Sequence, residues 1–207
     1  MKAKHNRTLG RPRSKDLEQP TNEIILQAAS RLFLENSYQN VSVDDVARMC
    51  NVTKATVYYY YDSKSELFTE TMVKMMDRIR EKMHAMLQEE SPLRQRLLNI
   101  TKAHLKATVD VDIEGFMKGS KNALSSEQLK RMQQAEEDMY KAIEQAFVDA
   151  IAKKQIPEIN PSFAAQAYLA LLKVGNHRTK DDQPIFTTTE ETAEKIIDFF
   201  WNGLFSF

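Results

Sequence analysis

Residues 42–61, Ser-Val-Asp-Asp-Val-Ala-Arg-Met-Cys-Asn-Val-Thr-Lys-Ala-Thr-Val-Tyr-Tyr-Tyr-Tyr, read as two short helices crossing at a tight turn. Val43, Val46 and Ala47 share one helical face at i, i+3 and i+4. Ser42, with Asp45 three residues on, opens the first helix as a capping box. Asn51 falls where the chain must reverse, and asparagine is among the few non-glycine residues that tolerate the left-handed conformation. Val52 anchors the turn and Thr53 caps the second helix. Within that helix Val57 and Tyr60 are expected to point back at the first.

The remaining face decides what the stretch is for. Thr53, Lys54, Ala55, Thr56, Tyr58 and Tyr59 are left facing outward. Hydroxyls, one cation and two aromatic rings are poor core material. They suit hydrogen bonding to phosphates and contact with base edges in a major groove. An ordinary helical hairpin inside an all-α domain would show the same periodicity, so the flanking residues must separate the two readings.

The chain has 207 residues, 42% of them hydrophobic and 28% charged, which suffices for a buried core in one domain or two small ones. No apolar run approaches the roughly 18 residues of a spanning helix, so no membrane role is expected. The N-terminus is charged and lacks an apolar segment of signal-peptide type. A single cysteine, Cys50, fits a reducing, cytoplasmic compartment. Net charge is zero but unevenly spread. Residues 1–65 hold ten Lys/Arg against seven Asp/Glu, and the rest nineteen against twenty-two. Positive charge gathered beside the helical pair suits an anionic polymer.

Residues 1–18 form a basic arm in which Gly10-Arg-Pro-Arg13 is either a minor-groove strap through Arg11 and Arg13 or a solubilising tail. From Thr21, Ile24, Ile25, Ala28, Ala29, Leu32 and Phe33 make an apolar stripe that ends at Glu35-Asn36-Ser37. Ser63 and Glu66 read as a capping box opening a long helix to about Glu89, with Lys64 in its first turn, placed to meet a phosphate.

Taken together, Ile25-Leu-Gln-Ala-Ala29, Leu32-Phe33, Ser42-Val-Asp-Asp-Val-Ala47, Val52-Thr-Lys-Ala-Thr-Val-Tyr-Tyr59 and Ser63-Lys-Ser-Glu-Leu-Phe68 resemble the DNA-binding domain of the TetR family of bacterial transcriptional repressors. The resemblance is strongest over residues 21–68. Three positions depart from it: Ser37 and Asn51 replace usual glycines, and Tyr61 a usual phenylalanine. It implies that Thr53, Lys54, Ala55 and Thr56 present the leading end of a recognition helix to DNA. By the same resemblance Tyr58 and Tyr59 touch phosphates or thymine methyls, Lys64 clamps a phosphate, and Ser42 caps the second helix against the backbone. The expected architecture is all-α with about nine helices: arm 1–18, DNA-binding domain 19–68, and a ligand-binding and dimerisation domain 69–207.

Further on, Ser91-Pro92, Ser125 with Gln128, Asn160-Pro161 and Thr188 with Glu191 mark helix starts, and Gly115 and Gly119 suggest short interrupted helices. The last helix carries an apolar stripe through Ala193, Ile196, Ile197, Phe200, Trp201, Leu204 and Phe205. Such a stripe at a chain end could cap the protein's own core or meet a copy of itself, and its aromatic enrichment favours the interface. The preceding helix adds Phe163, Ala167, Tyr168, Leu171 and Leu172, and the resemblance implies a homodimeric four-helix bundle from these two helices. It also implies a pocket for a small hydrophobic or amphipathic effector, for which Met76, Met83, His104, Phe116, Met117, Met139, Ile143 and Phe147 are the expected lining. The four histidines do not cluster at metal-ligand spacing, so no metal and no cofactor is expected. No nucleophile–base grouping or phosphate loop points to an enzyme. The expected function is a homodimeric repressor that binds a palindromic DNA operator and is released by ligand. The alternatives are an activator or architectural protein without an inducer, and a helical interaction module that does not bind DNA.

Overall fold

The computed structural model describes residues 19–108, 119–120, 122–177, 179, 181 and 183–205. The described residues form eight helices and no strand: α1 (Thr21–Asn40), α2 (Val43–Met49), α3 (Lys54–Tyr60), α4 (Lys64–Leu87), α5 (Leu93–Thr108), α6 (Ser126–Ala152), α7 (Pro161–Gly175) and α8 (Thr189–Phe205). The expected interrupted helices around Gly115, the arm with Arg11 and Arg13, and the pocket residues Phe116 and Met117 lie outside the described residues.

Helix starts follow the capping chemistry in the sequence. Ser42 and Asp45 form the reciprocal capping box, as do Ser125 and Gln128. Asn160 accepts from the Phe163 amide ahead of Pro161 at the first helical position. The Ser63–Glu66 box is only half formed: the Ser63 hydroxyl accepts from the Glu66 amide, but the Glu66 carboxylate turns elsewhere. The regular helix of α1 ends at Glu35-Asn36-Ser37 as expected: Ser37 leaves helical geometry (φ 67, ψ 165), and a short further turn runs on to Asn40. The kink swings Tyr38 inward, where it meets Phe68 edge-on, and Phe68 in turn meets Phe33.

Two cores result. The head core joins Ile25, Ala29, Phe33, Val46, Val57, Leu67 and Phe68. The body core joins Leu93, Leu97, Leu105, Ile143, Phe147, Tyr168 and Ile197. Inside the body, the fully buried Tyr168 hydroxyl bonds to Thr101 Oγ1 (3.0 Å) and the Leu97 carbonyl (3.2 Å). Its hydrogen-bonding capacity is thereby met without water.

Helix α4 belongs to both cores, and so does α6, whose first turns dock on the head. Leu124, just ahead of the helix, and Met132 within it are buried in the head core, with Leu129 packed against it. Gly119 (φ 80) lies against the Gln39 side chain and leaves no room there for a Cβ. Above this contact, Arg131 donates to Glu66 at 2.7 Å and to Glu70, while Gln128 donates to Glu66 at 2.9 Å. The Gln128 side chain meanwhile accepts from the Ser125 amide, so one residue caps α6 and ties it to α4. This joint sets the attitude of the head on the body.

Two outcomes are expected. Ser37 holds backbone geometry that is otherwise nearly confined to glycine and costs about 1–3 kcal/mol. Ser37→Gly should therefore raise stability by about 1 kcal/mol in chemical denaturation, net of glycine's added chain entropy; a loss would contradict the strain. The Gln128 and Arg131 hydrogen bonds hold the Glu66 carboxyl below its ordinary range. Its contribution is thus complete above the unfolded value of about 4.3, and is lost as pH falls through the lower folded value. Acid unfolding of Glu66→Gln should lose that component, and an unchanged acid profile would contradict it.

Candidate nucleic-acid interface

The turn between α2 and α3 is closed by backbone bonds. The Asn51 amide donates to the Arg48 carbonyl (3.2 Å) and the Val52 amide to the Ala47 carbonyl (3.0 Å). With Asn51 left-handed (φ 54), this is a Schellman closure. Thr53 Oγ1 then accepts from the Thr56 amide at 3.1 Å and starts α3. Buried Val46, Ala47 and Val57 press the two helices together, so the orientation of α3 is dictated by the turn.

The outward face carries Thr53, Lys54, Ala55, Tyr58 and Tyr59, all exposed, with Thr56 half-buried and its hydroxyl 2.8 Å from that of Thr53. Tyr59 projects furthest, at 82% exposure. Tyr60 does not point back at α2 as its spacing from Val57 predicts; it is exposed and sits edge-on to Tyr59, centroids 5.0 Å apart. The reason is that α3 ends at Tyr60. Tyr61 takes extended backbone (φ −140, ψ 113), and its ring, not that of Tyr60, turns inward. The Tyr61 hydroxyl reaches the Asn22 carbonyl at 3.4 Å, and burial pushes its pKa up to about 12. Tyr60 is thus an outward residue that sequence periodicity misses.

The cations of the head are already engaged. Lys54 Nζ lies 2.5 Å from Asp44 Oδ2, Arg48 bonds Asp45 at 3.2 Å, and Arg31 bonds Glu35 at 2.9 Å. Asp45 is held below the usual carboxylate range, first by the Ser42 hydroxyl and amide and then by Arg48. Ser42 is exposed beside it. Lys64 is not a free clamp: it donates to the Gln39 carbonyl at 3.3 Å and covers the Tyr38 ring at 4.5 Å. Burial there pushes its ammonium down.

In the body, the expected pocket residues disperse. Met76 packs against the head core, whereas Met83, Met139, Ile143 and Phe147 belong to the body core. His104 is half-buried at the α5 end, 3.3 Å from the Asn176 side chain, and burial lowers its pKa. An open groove of about 640 Å³ lies between the second halves of α4 and α6. Arg80, Arg96, Lys141 and Lys153 line it together with Glu81, Asp138 and Asp149, over Leu87, Ala142 and Ala146.

The expected dimer residues divide. Tyr168, Ile197 and Phe200 are buried within the protomer's own core and present no surface to a partner. Ala167, Leu171, Trp201, Leu204 and Phe205 are partly buried, while Phe163 stays 63% exposed. Phe199, which the α8 stripe leaves out, is the most exposed apolar residue of that helix at 72%.

Residues 25–71 match the family model for bacterial regulatory proteins of the tetR family. Over 156 residues the chain is 24% identical to YhgD of Bacillus subtilis, an uncharacterised HTH-type transcriptional regulator, covering 72% of this chain and 81% of that one. Over 48 residues it is 35% identical to IcaR of Staphylococcus epidermidis, the negative transcriptional regulator of the biofilm operon icaADBC, covering 23% of this chain and 26% of that one. Its fold is similar to that of FadR from Bacillus subtilis, a transcriptional regulator solved in complex with stearoyl-CoA. That likeness has a TM-score of 0.71 at 15% identity and covers 87% of this chain and 98% of FadR.

Proposed function

We propose that this chain, whose helix-turn-helix domain belongs to the tetR family of bacterial regulatory proteins, acts in the cytoplasm as a homodimeric repressor released from a palindromic operator by a small ligand. The observation that carries the reading is the outward face of α3. Lys54, Tyr58, Tyr59 and Tyr60 stand clear of the head core on a helix whose opposite side is locked by Val57. Such a face is dimensioned for a major groove, with hydroxyls and a cation for phosphates and rings for thymine methyls. Arg11 and Arg13 would add contacts from the arm. The IcaR likeness supports negative control of transcription.

Dimerisation would place two α3 helices about 34–36 Å apart, one turn of duplex DNA. Phe163 on α7 and Phe199 on α8 are the rings that a second copy would cover, with Ala167, Leu171, Trp201, Leu204 and Phe205 as flanking surface. The effector is a small amphipathic molecule seated in the α4–α6 groove, where four cations and three acids surround Leu87, Ala142 and Ala146; the fold likeness to a stearoyl-CoA complex supports an amphipathic class. Ligand between α4 and α6 would bias the joint at Glu66 and Arg131. It would thereby favour heads spaced wrongly for DNA, so that ligand and operator oppose each other by linkage.

Duplexes selected from a random library provide the test. Tyr59→Ala should lose roughly tenfold or more in affinity for the selected sequence, with sedimentation still showing the wild-type dimer. Phe199→Lys should instead give monomers and weaken operator binding through loss of the second head. A dimeric Phe199→Lys, or a Tyr59→Ala that binds like wild type, would contradict the reading.

A further inference from the structure

We propose that Asp44 is an autoinhibitory residue of the DNA-reading head: its carboxylate holds Lys54 where a DNA phosphate would sit, and must be displaced when α3 docks. The proposal rests on the DNA-binding reading above. Its grounds are the charges of the head and their geometry.

Residues 19–68 carry four cations, Arg31, Arg48, Lys54 and Lys64, against six acids, Glu23, Glu35, Asp44, Asp45, Asp62 and Glu66, so this unit has a net charge of −2. Each cation has a partner within the head: Glu35, Asp45, Asp44 and the Gln39 carbonyl respectively. For a surface meant to meet a polyanion this is an unusual balance. The pairs differ in what else depends on them. Asp45 completes the α2 capping box and cannot move without uncapping the helix. Arg31 and Glu35 are an i, i+4 pair within α1. Lys64 is half-buried against Tyr38. Asp44 has no part in a cap, and it reaches from α2 across to the first residue of α3.

That pair is open to solvent, with side-chain exposures of 50% for Lys54 and 51% for Asp44. An exposed pair contributes little stability and exchanges partners readily. On docking, Lys54 would pass from the carboxylate to a phosphate. The phosphate releases its condensed counterion whether or not Asp44 is charged, so the broken pair lowers affinity and leaves the slope of the salt dependence unchanged. Without the Asp44 charge, Lys54 makes the same contact with no pair to break.

The test measures full-length wild type, Asp44→Asn, Lys54→Ala and the double variant on a random-sequence 30-base-pair duplex across a salt series, with thermal melts to confirm folding. Asp44→Asn is expected to bind roughly two- to fivefold tighter at low salt, the size of one exposed ion pair. Its plot of log affinity against log salt should run above that of wild type at the same slope, whereas Lys54→Ala should be shallower by about 0.9. In the Lys54→Ala background the gain from Asp44→Asn should vanish. No gain from Asp44→Asn, or a gain that persists without Lys54, overturns the proposal. Absence of duplex binding by wild type at any salt would instead overturn the DNA-binding reading beneath it.

Discussion

The head depends on one backbone closure, the pair of hydrogen bonds that end α2 at Asn51 and Val52. Because Asn51 turns left-handed there, α3 leaves at an angle that buries Val57 against Val46 and Ala47. Every outward residue of α3 takes its direction from that burial. A different turn would rotate the helix and bring other side chains to the surface. The family resemblance places glycine at this position, and asparagine keeps the conformation at modest strain.

The second constraint is the sharing of α4 and α6 between the two cores. A long helix through both would transmit motion only if its ends were gripped, and the first turns of α6 provide the grip. Leu124 and Met132 enter the head core, and Arg131 and Gln128 hold the Glu66 carboxylate. The same α6 lines the groove in its second half, so the groove and the head meet opposite ends of one helix. That arrangement supports a ligand response without requiring any contact between ligand and DNA.

Much of this was legible in the sequence because it is local. Apolar periodicity and capping residues place the helices, and the capping boxes at Ser42 and Ser125 formed as their spacing predicts. What escaped is what depends on distant partners or on where a helix stops. Tyr60 and Tyr61 are both consistent with the inner face by spacing, and only the end of α3 decides which ring turns in. Glu66 has the right spacing for a capping box with Ser63, but Arg131, 65 residues on, outcompetes that local bond. On α8, Ile197 and Phe200 satisfy the protomer's own core, so the stripe that periodicity picks out is largely the inner one and Phe199 stands outside it. Charge counts were readable; the pairing of Lys54 with Asp44 was not, since it links two helices across a turn.

The central claim is that two copies of α3 read one operator together. Hydroxyl-radical footprinting on a duplex selected by the protein, with stoichiometry from sedimentation, tests it most directly. The account predicts two related half-sites protected in successive major grooves, about 10–10.5 base pairs apart, by one dimer. A single protected half-site occupied by one protomer would contradict it.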